Sequence, residues 1–252
     1  MKLTKYDNLE NPNYTVAPDC THHLTEQGVP AYPTRFSWVW KFSFGRAPVK
    51  DDSGAYHIFP DGTPVYDTRY DESFNHYEGI ATVVADGKWF HVDLVGSPVY
   101  ADTFDWAGNF QEGAAVVRSE THFFHIDNLG KRLYSNTFAY AGDFSGGYAC
   151  VNTRSGAFHI DRQGNPLYDA RYLSVYPFHK NTAVARKLNG YFCHINLDGV
   201  PLYDHEFVAL DNFYNQVAWA QIVDNKYVQI NLQGDVIVEL AYSSLDEGNC
   251  EI

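Results

Sequence analysis

Hydrophobic and polar residues along this chain alternate in short runs, and no window repeats with the 3.6-residue period of a helix. In Phe123-Phe124-His125-Ile126-Asp127, Phe124 and Ile126 fall on one face of an extended strand. Phe123, His125 and Asp127 fall on the other, because successive side chains of a strand point in opposite directions. Gly113-Ala114-Ala115-Val116-Val117-Arg118 reads as the strand before it, 131–135 as the strand after it, and a short further strand is expected around 138–144. Asp127-Asn128-Leu129-Gly130 forms a tight link, and Asp86-Gly87 is a strong hairpin signal because both residues accept positive φ. Lys50-Asp51-Asp52-Ser53-Gly54 reads as a polar hairpin tip, and Tyr14-Thr15-Val16 as a short entering strand. The predicted class is all-β.

The pattern recurs. Copies of a stretch typified by His159-Ile160-Asp161-Arg162-Gln163-Gly164-Asn165-Pro166-Leu167-Tyr168 begin at His23, His57, His91, His125, His159, His194 and Gln229, in steps of 34 or 35 residues. Five residues into each copy stands Gly, from Gly28 to Gly234, and nine residues in stands Tyr, from Tyr32 to Tyr203, until Val238 replaces it. Position thirteen is aromatic (Phe36, Tyr70, Phe104, Phe138, Tyr172, Phe207). Position nineteen is Phe except at His76, and position twenty-four is always Ala.

One such unit is too small to bury its own apolar face, so neighbouring units must stack. Seven antiparallel meanders of about 34 residues predict a closed seven-bladed β-propeller, which removes exposed sheet edges; an open β-spiral or solenoid of the same units is the alternative. Residues 1–22 read as a lead-in, 23–240 as a single repeat domain, and 241–252 as a tail that could complete the last unit.

Composition narrows the partners. The net charge of −13 excludes nonspecific nucleic-acid binding, which requires a basic surface, and suits a basic protein partner. No run approaches the ~20 apolar residues of a membrane span, and Met1-Lys2-Leu3-Thr4-Lys5-Tyr6-Asp7 lacks a signal core, so a cytoplasmic protein is expected. The four cysteines have no zinc spacing; Cys150 and Cys193 replace Val and Phe and read as buried apolar residues, while Cys20 and Cys250 would meet if the ring closes.

Gly87-Lys88-Trp89-Phe90-His91-Val92-Asp93, followed by Gly96 and preceded by Glu78-Gly79-Ile80-Ala81, resembles the unit of the bacterial WG (KWG) repeat family. So does Phe110-Gln111-Glu112-Gly113-Ala114-Ala115-Val116 leading to Ile126-Asp127 and Gly130. The resemblance spans about 23–240, with Phe90 where the family has Gly and His in six copies where it has an aromatic residue. It implies a binding or accessory module without a shared catalytic activity.

No nucleophile elbow, zinc-protease, phosphate-loop or dinucleotide motif is present, so no catalytic residue, metal ligand or cofactor is predicted. The His-x-Asp pairs (His91/Asp93, His125/Asp127, His159/Asp161) are read structurally, with Asp accepting turn N–H groups. Residues that break the repeat carry more information. Arg35, Arg69 and Arg171 share position twelve and are candidates to bind a small anionic ligand in a central funnel; a local pairing with Asp67 and Asp169 is the simpler reading for the last two. Trp38, Trp40, Trp106 and Trp219 stand at positions that are not uniformly aromatic and are candidate contacts for a protein partner. The expected function is a non-catalytic binding or scaffold module. A ligand-binding or catalytic funnel, or an accessory domain of a larger enzyme, are the alternatives.

Overall fold

The computed structural model describes residues 10–239. The chain falls into two compact units, Met1–Thr137 and Phe138–Ile252. The described residues form seven antiparallel sheets: a two-stranded pair, five three-stranded meanders and a final four-stranded one. The entering strand Thr15–Val16 pairs with His23–Leu24. A representative meander runs Glu72–Tyr77, Ile80–Ala85 and Lys88–Val92. Its third strand ends on the residues that open the next sequence copy, so each of the three- and four-stranded sheets straddles two copies. The expected hairpin at Asp86-Gly87 is present, both residues having positive φ.

Two strand assignments are corrected. The segment 131–135 is reduced to a bridge between Ile126 and Arg132, with Leu133 N–H donating to His125 O. In other copies Pro64, Pro98, Pro166 and Pro201 occupy the place of Arg132. In those copies proline has no N–H to extend a ladder, and the fourth strand stops there. It returns at position thirteen, where Tyr70, Phe104, Tyr172 and Phe207 bridge Ala55, Trp89, Ala157 and Phe192. The segment around 138–144 is the first strand of a sheet, Tyr140–Ser145, rather than a fourth.

The repeat rules resolve into contacts. Each invariant Ala faces a branched residue across its ladder, as Ala47 faces Ile58, Ala115 faces Ile126 and Ala183 faces Ile195, all fully buried. The invariant Gly and Tyr form one contact between consecutive copies. Gly96 has φ +78, and a Cβ there would lie 2.2 Å from Cδ1 of Tyr66 in the preceding copy. Both backbone conformation and space therefore demand glycine. Tyr32 packs on Gly62, and Tyr168 on Gly199, in the same way. The Tyr ring then meets the aromatic residue at position thirteen edge to face, at 6.0 Å for Tyr32–Phe36 and for Tyr66–Tyr70.

The strand 123–127 is not polar on its second face. His125 is as buried as Phe124 and Ile126, because sheets packed on both sides leave central positions no solvent face.

Candidate functional site

The copy-opening histidines hold the backbone on which the candidate site is built. Nδ1 of each accepts the hydroxyl of the Tyr nine residues on, as in His23–Tyr32, His57–Tyr66 and His91–Tyr100. Nε2–H donates to the carbonyl seventeen residues on: His23 to Trp40, His57 to Phe74 and His91 to Gly108, each at 2.8 Å. This arrangement fixes the neutral tautomer. Burial pushes the pKa of His57, His91, His159 and His194 down to about 4.

Two of the residues whose carbonyls are so held, Trp40 and Phe74, line a groove in the first compact unit with their side chains. Trp38, Trp40, Phe74 and Tyr77 surround an open pocket of about 270 Å³, completed by Pro48 and the amides of Asn75 and Asn109. Trp38 lies on the strand Trp38–Val39, opposite Lys50, and Trp40 N–H donates to Pro48 O. The two indoles are stacked, with centroids 5.7 Å apart and planes within 14°. Phe74 and Asn75 occupy a register shift between Ser73 and His76. Such a bulge re-aims side chains, and here it turns both residues into the groove. Trp40 and Tyr77 are each 47% exposed, so two large rings lie half in water. Phe74 also stacks on Trp89 at 5.5 Å, and Trp89 leads through Trp106 to Phe123 at 6.2 and 6.1 Å.

The structure thus brings Trp38 and Trp40 together and links Trp106 to their groove through Phe74 and Trp89. Trp219 belongs to the second compact unit, where it is 40% exposed beside a small hollow lined by Ala209, Leu210 and Tyr227. A pocket of about 360 Å³ in that unit is lined by Tyr176, Val184, Phe192, Asp211 and Asn212, largely the same repeat positions as the aromatic groove. The repeat therefore builds a groove beside its first strands, and the side chains at positions fifteen to twenty decide its chemistry. Sequence reasoning missed Phe74, Tyr77 and Trp89. The available signal was position seventeen, which varies through Trp40, Phe74, Gly108, Gly142, Tyr176 and Asp211.

The arginine set is engaged locally. Nη1 of Arg69 donates to the carbonyls of Tyr66, Asp67 and Thr68 at 3.1, 2.9 and 3.2 Å. Arg35 and Arg171 clamp the equivalent three carbonyls of their own turns. Arg69 and Arg171 also stack on Tyr56 and Phe158 at 3.6 and 3.9 Å. Each guanidinium bridges the break in the fourth strand, and the Asp67 and Asp169 groups it meets are backbone carbonyls. The His-x-Asp residues part company: the Asp93 carboxylate accepts N–H bonds from Val95 and Ser97 in the turn, while His91 bonds to Tyr100. Among the described residues no three His, Cys, Asp or Glu side chains gather as a metal site requires. Cys193 is fully buried and Cys150 half-buried, whereas the Cys20–Cys250 pairing involves a residue outside those described.

Residues 60–89 and 160–191 match the family model of the WG containing repeat. These two segments resemble the WG repeat. No curated protein matches the chain. Among solved structures it is similar to the computationally designed Ika8 protein, at 16% identity over 90% of this chain and 83% of that one, with a TM-score of 0.51. It is also similar to BamB from Moraxella catarrhalis, at 13% identity over 84% and 77% with a TM-score of 0.49. Hsv2 from Kluyvelomyces marxianus gives 12% identity over 79% and 75%, with a TM-score of 0.41. The likeness to the designed Ika8 protein supports a fold of repeated antiparallel sheets of propeller type. At such identities the likeness concerns the fold alone.

Proposed function

We propose that this WG-repeat chain is a non-catalytic binding module that presents the aromatic groove of its first compact unit to a protein partner. Repeat folds of this type commonly mediate protein binding. The observation that carries the reading is the convergence of Trp38, Trp40, Phe74 and Tyr77, four exposed aromatic residues, on one open pocket. Isolated exposed aromatics are ordinary, but a contiguous cluster costs solubility, and Trp and Tyr dominate interface energetics. The net charge of −13 favours a basic partner. The guanidinium groups of Arg35, Arg69 and Arg171 serve their own turns, which weakens the case for an anion site built from them.

The test is affinity capture from the source lysate with the wild-type chain and a Trp38→Ala/Trp40→Ala variant whose melting curve matches it. The reading requires a protein retained by the first and lost by the second. Capture that is indifferent to both tryptophans would end it.

A further inference from the structure

The occupant of the groove can be narrowed, on the strength of the binding reading above. We propose that the groove takes an arginine side chain from a basic segment of the partner, the guanidinium lying against the faces of Trp38, Trp40, Phe74 and Tyr77.

Four observations converge. Aromatic faces are the negative pole of the ring quadrupole and attract cations, guanidinium above all because it can also stack. Elsewhere the chain covers aromatic faces with its own arginines: Arg69 on Tyr56 at 3.6 Å, Arg132 on Phe124 at 3.7 Å and Arg171 on Phe158 at 3.9 Å. Among the described residues no cation covers any of the four groove rings. The nearest ammonium in register, on Lys50 opposite Trp38, is held by Glu72 at 2.6 Å and by Asp71 O at 2.9 Å.

Charge points the same way. No ionised side chain lines the groove, while Asp71, Glu72 and Glu78 flank Phe74 and Tyr77 along the chain and the whole protein carries −13. A guanidinium would thus meet uncharged π faces on a protein of net negative charge. The side-chain oxygen of Asn75, on the groove wall, has no hydrogen-bond donor of its own. Size fits as well: about 270 Å³ is below the ~300–1,000 Å³ of most small-molecule sites and suits one or two side chains. A saccharide would require several hydrogen-bonding groups around its ring, and the groove side chains offer two amides.

The test uses the full chain labelled with ¹⁵N at tryptophan, whose five indole N–H signals are assigned by single substitutions. The probes are N-acetyl-Gly-Arg-Gly amide, the same peptide with citrulline (a near-isosteric uncharged side chain) in place of arginine, and N-acetyl-Pro-Pro-Pro amide. The arginine peptide should shift the Trp38 and Trp40 signals saturably and leave Trp219 in place. Citrulline should weaken binding about tenfold, the size expected of a partly desolvated cation–π contact. Trp40→Leu should weaken it similarly, and Trp40→Phe, which keeps a ring, should restore most of it. Equal shifts from arginine and citrulline, tighter binding of the proline peptide, or no arginine binding at all would overturn the cation assignment. The two readings separate cleanly. Loss of all peptide binding in Trp40→Leu without any arginine preference would sink only the cation, whereas arginine binding untouched by Trp40→Leu would remove the groove itself as the binding site.

Discussion

Acid should unfold this protein well above the pH at which its carboxylates protonate. The perturbation is a drop from pH 7 to pH 5, and it acts on the buried histidines. In the unfolded chain each titrates near 6.5, whereas folded His57, His91, His159 and His194 titrate near 4 and His76 near 2. Burial is the main cause, since it disfavours imidazolium where Nδ1 must accept a Tyr hydroxyl. The folded pKa lies below the unfolded one, so nothing differs above pH 6.5. As the pH falls toward 4 the unfolded chain takes up protons that the folded chain refuses, and stability drops by about 1.4 kcal/mol per pH unit per histidine. At pH 5 each group has cost about 2 kcal/mol. The first compact unit, with His57, His76 and His91, therefore loses about 6 kcal/mol, and the second, with His159 and His194, about 4. A domain has only about 5–15 kcal/mol to lose. Asp19, Asp105 and Glu206, whose pKa values are lowered in the fold by hydrogen bonds to their neighbours, lose their contribution only below their unfolded values of 3.8 to 4.5. The window from pH 6.5 to 5 thus belongs to histidine. Urea unfolding followed by tryptophan emission reads mainly the first unit, which holds Trp38, Trp40, Trp89 and Trp106 against Trp219 alone in the second. Its midpoint should fall steeply from pH 7 to pH 5, and far-UV circular dichroism should follow with a smaller loss from the second unit. An unchanged midpoint at pH 5 would refute the reasoning.

Other substitutions test the remaining contacts. His76→Phe restores the residue of the other copies and removes a buried Nδ1 without a hydrogen-bond partner; it should stabilise the chain by about 1–2 kcal/mol at pH 7 and flatten the acid slope of the first unit by about a third. Gly96→Ala meets both the positive φ and the Tyr66 ring at 2.2 Å, and urea midpoints should show a loss of at least about 2 kcal/mol. Tyr100→Phe leaves the buried acceptor of His91 unsatisfied and should cost about 1–3 kcal/mol by the same assay. Arg171→Met removes three bonds to the carbonyls of Tyr168, Asp169 and Ala170 and should cost about 1–3 kcal/mol. The same variant should leave capture of a partner through the Trp38–Trp40 groove unchanged.

The sequence by itself determined the repeat, the all-β class and the turn chemistry. These rest on local rules: strand alternation, positive φ at glycine, and a carboxylate four residues from the turn's end, as Asp93 shows with Val95 and Ser97. It also marked Trp38 and Trp40 as departures from the repeat. The tertiary structure decided what each repeated residue does, because those partners are separated along the chain. Gly96 is required by Tyr66 thirty residues earlier, and His23 holds the carbonyl of Trp40 seventeen residues later. The same holds for the candidate site. Position twelve offered arginines as anion-binding candidates with a local pairing as the simpler reading, and which backbone carbonyls each guanidinium meets is set by the turn it closes on. Phe74 reads in sequence as one more strand residue, and only the bulge between Ser73 and His76 turns it outward beside two tryptophans from another strand. Side-chain direction at a register shift depends on both paired strands, and one strand's sequence does not contain it.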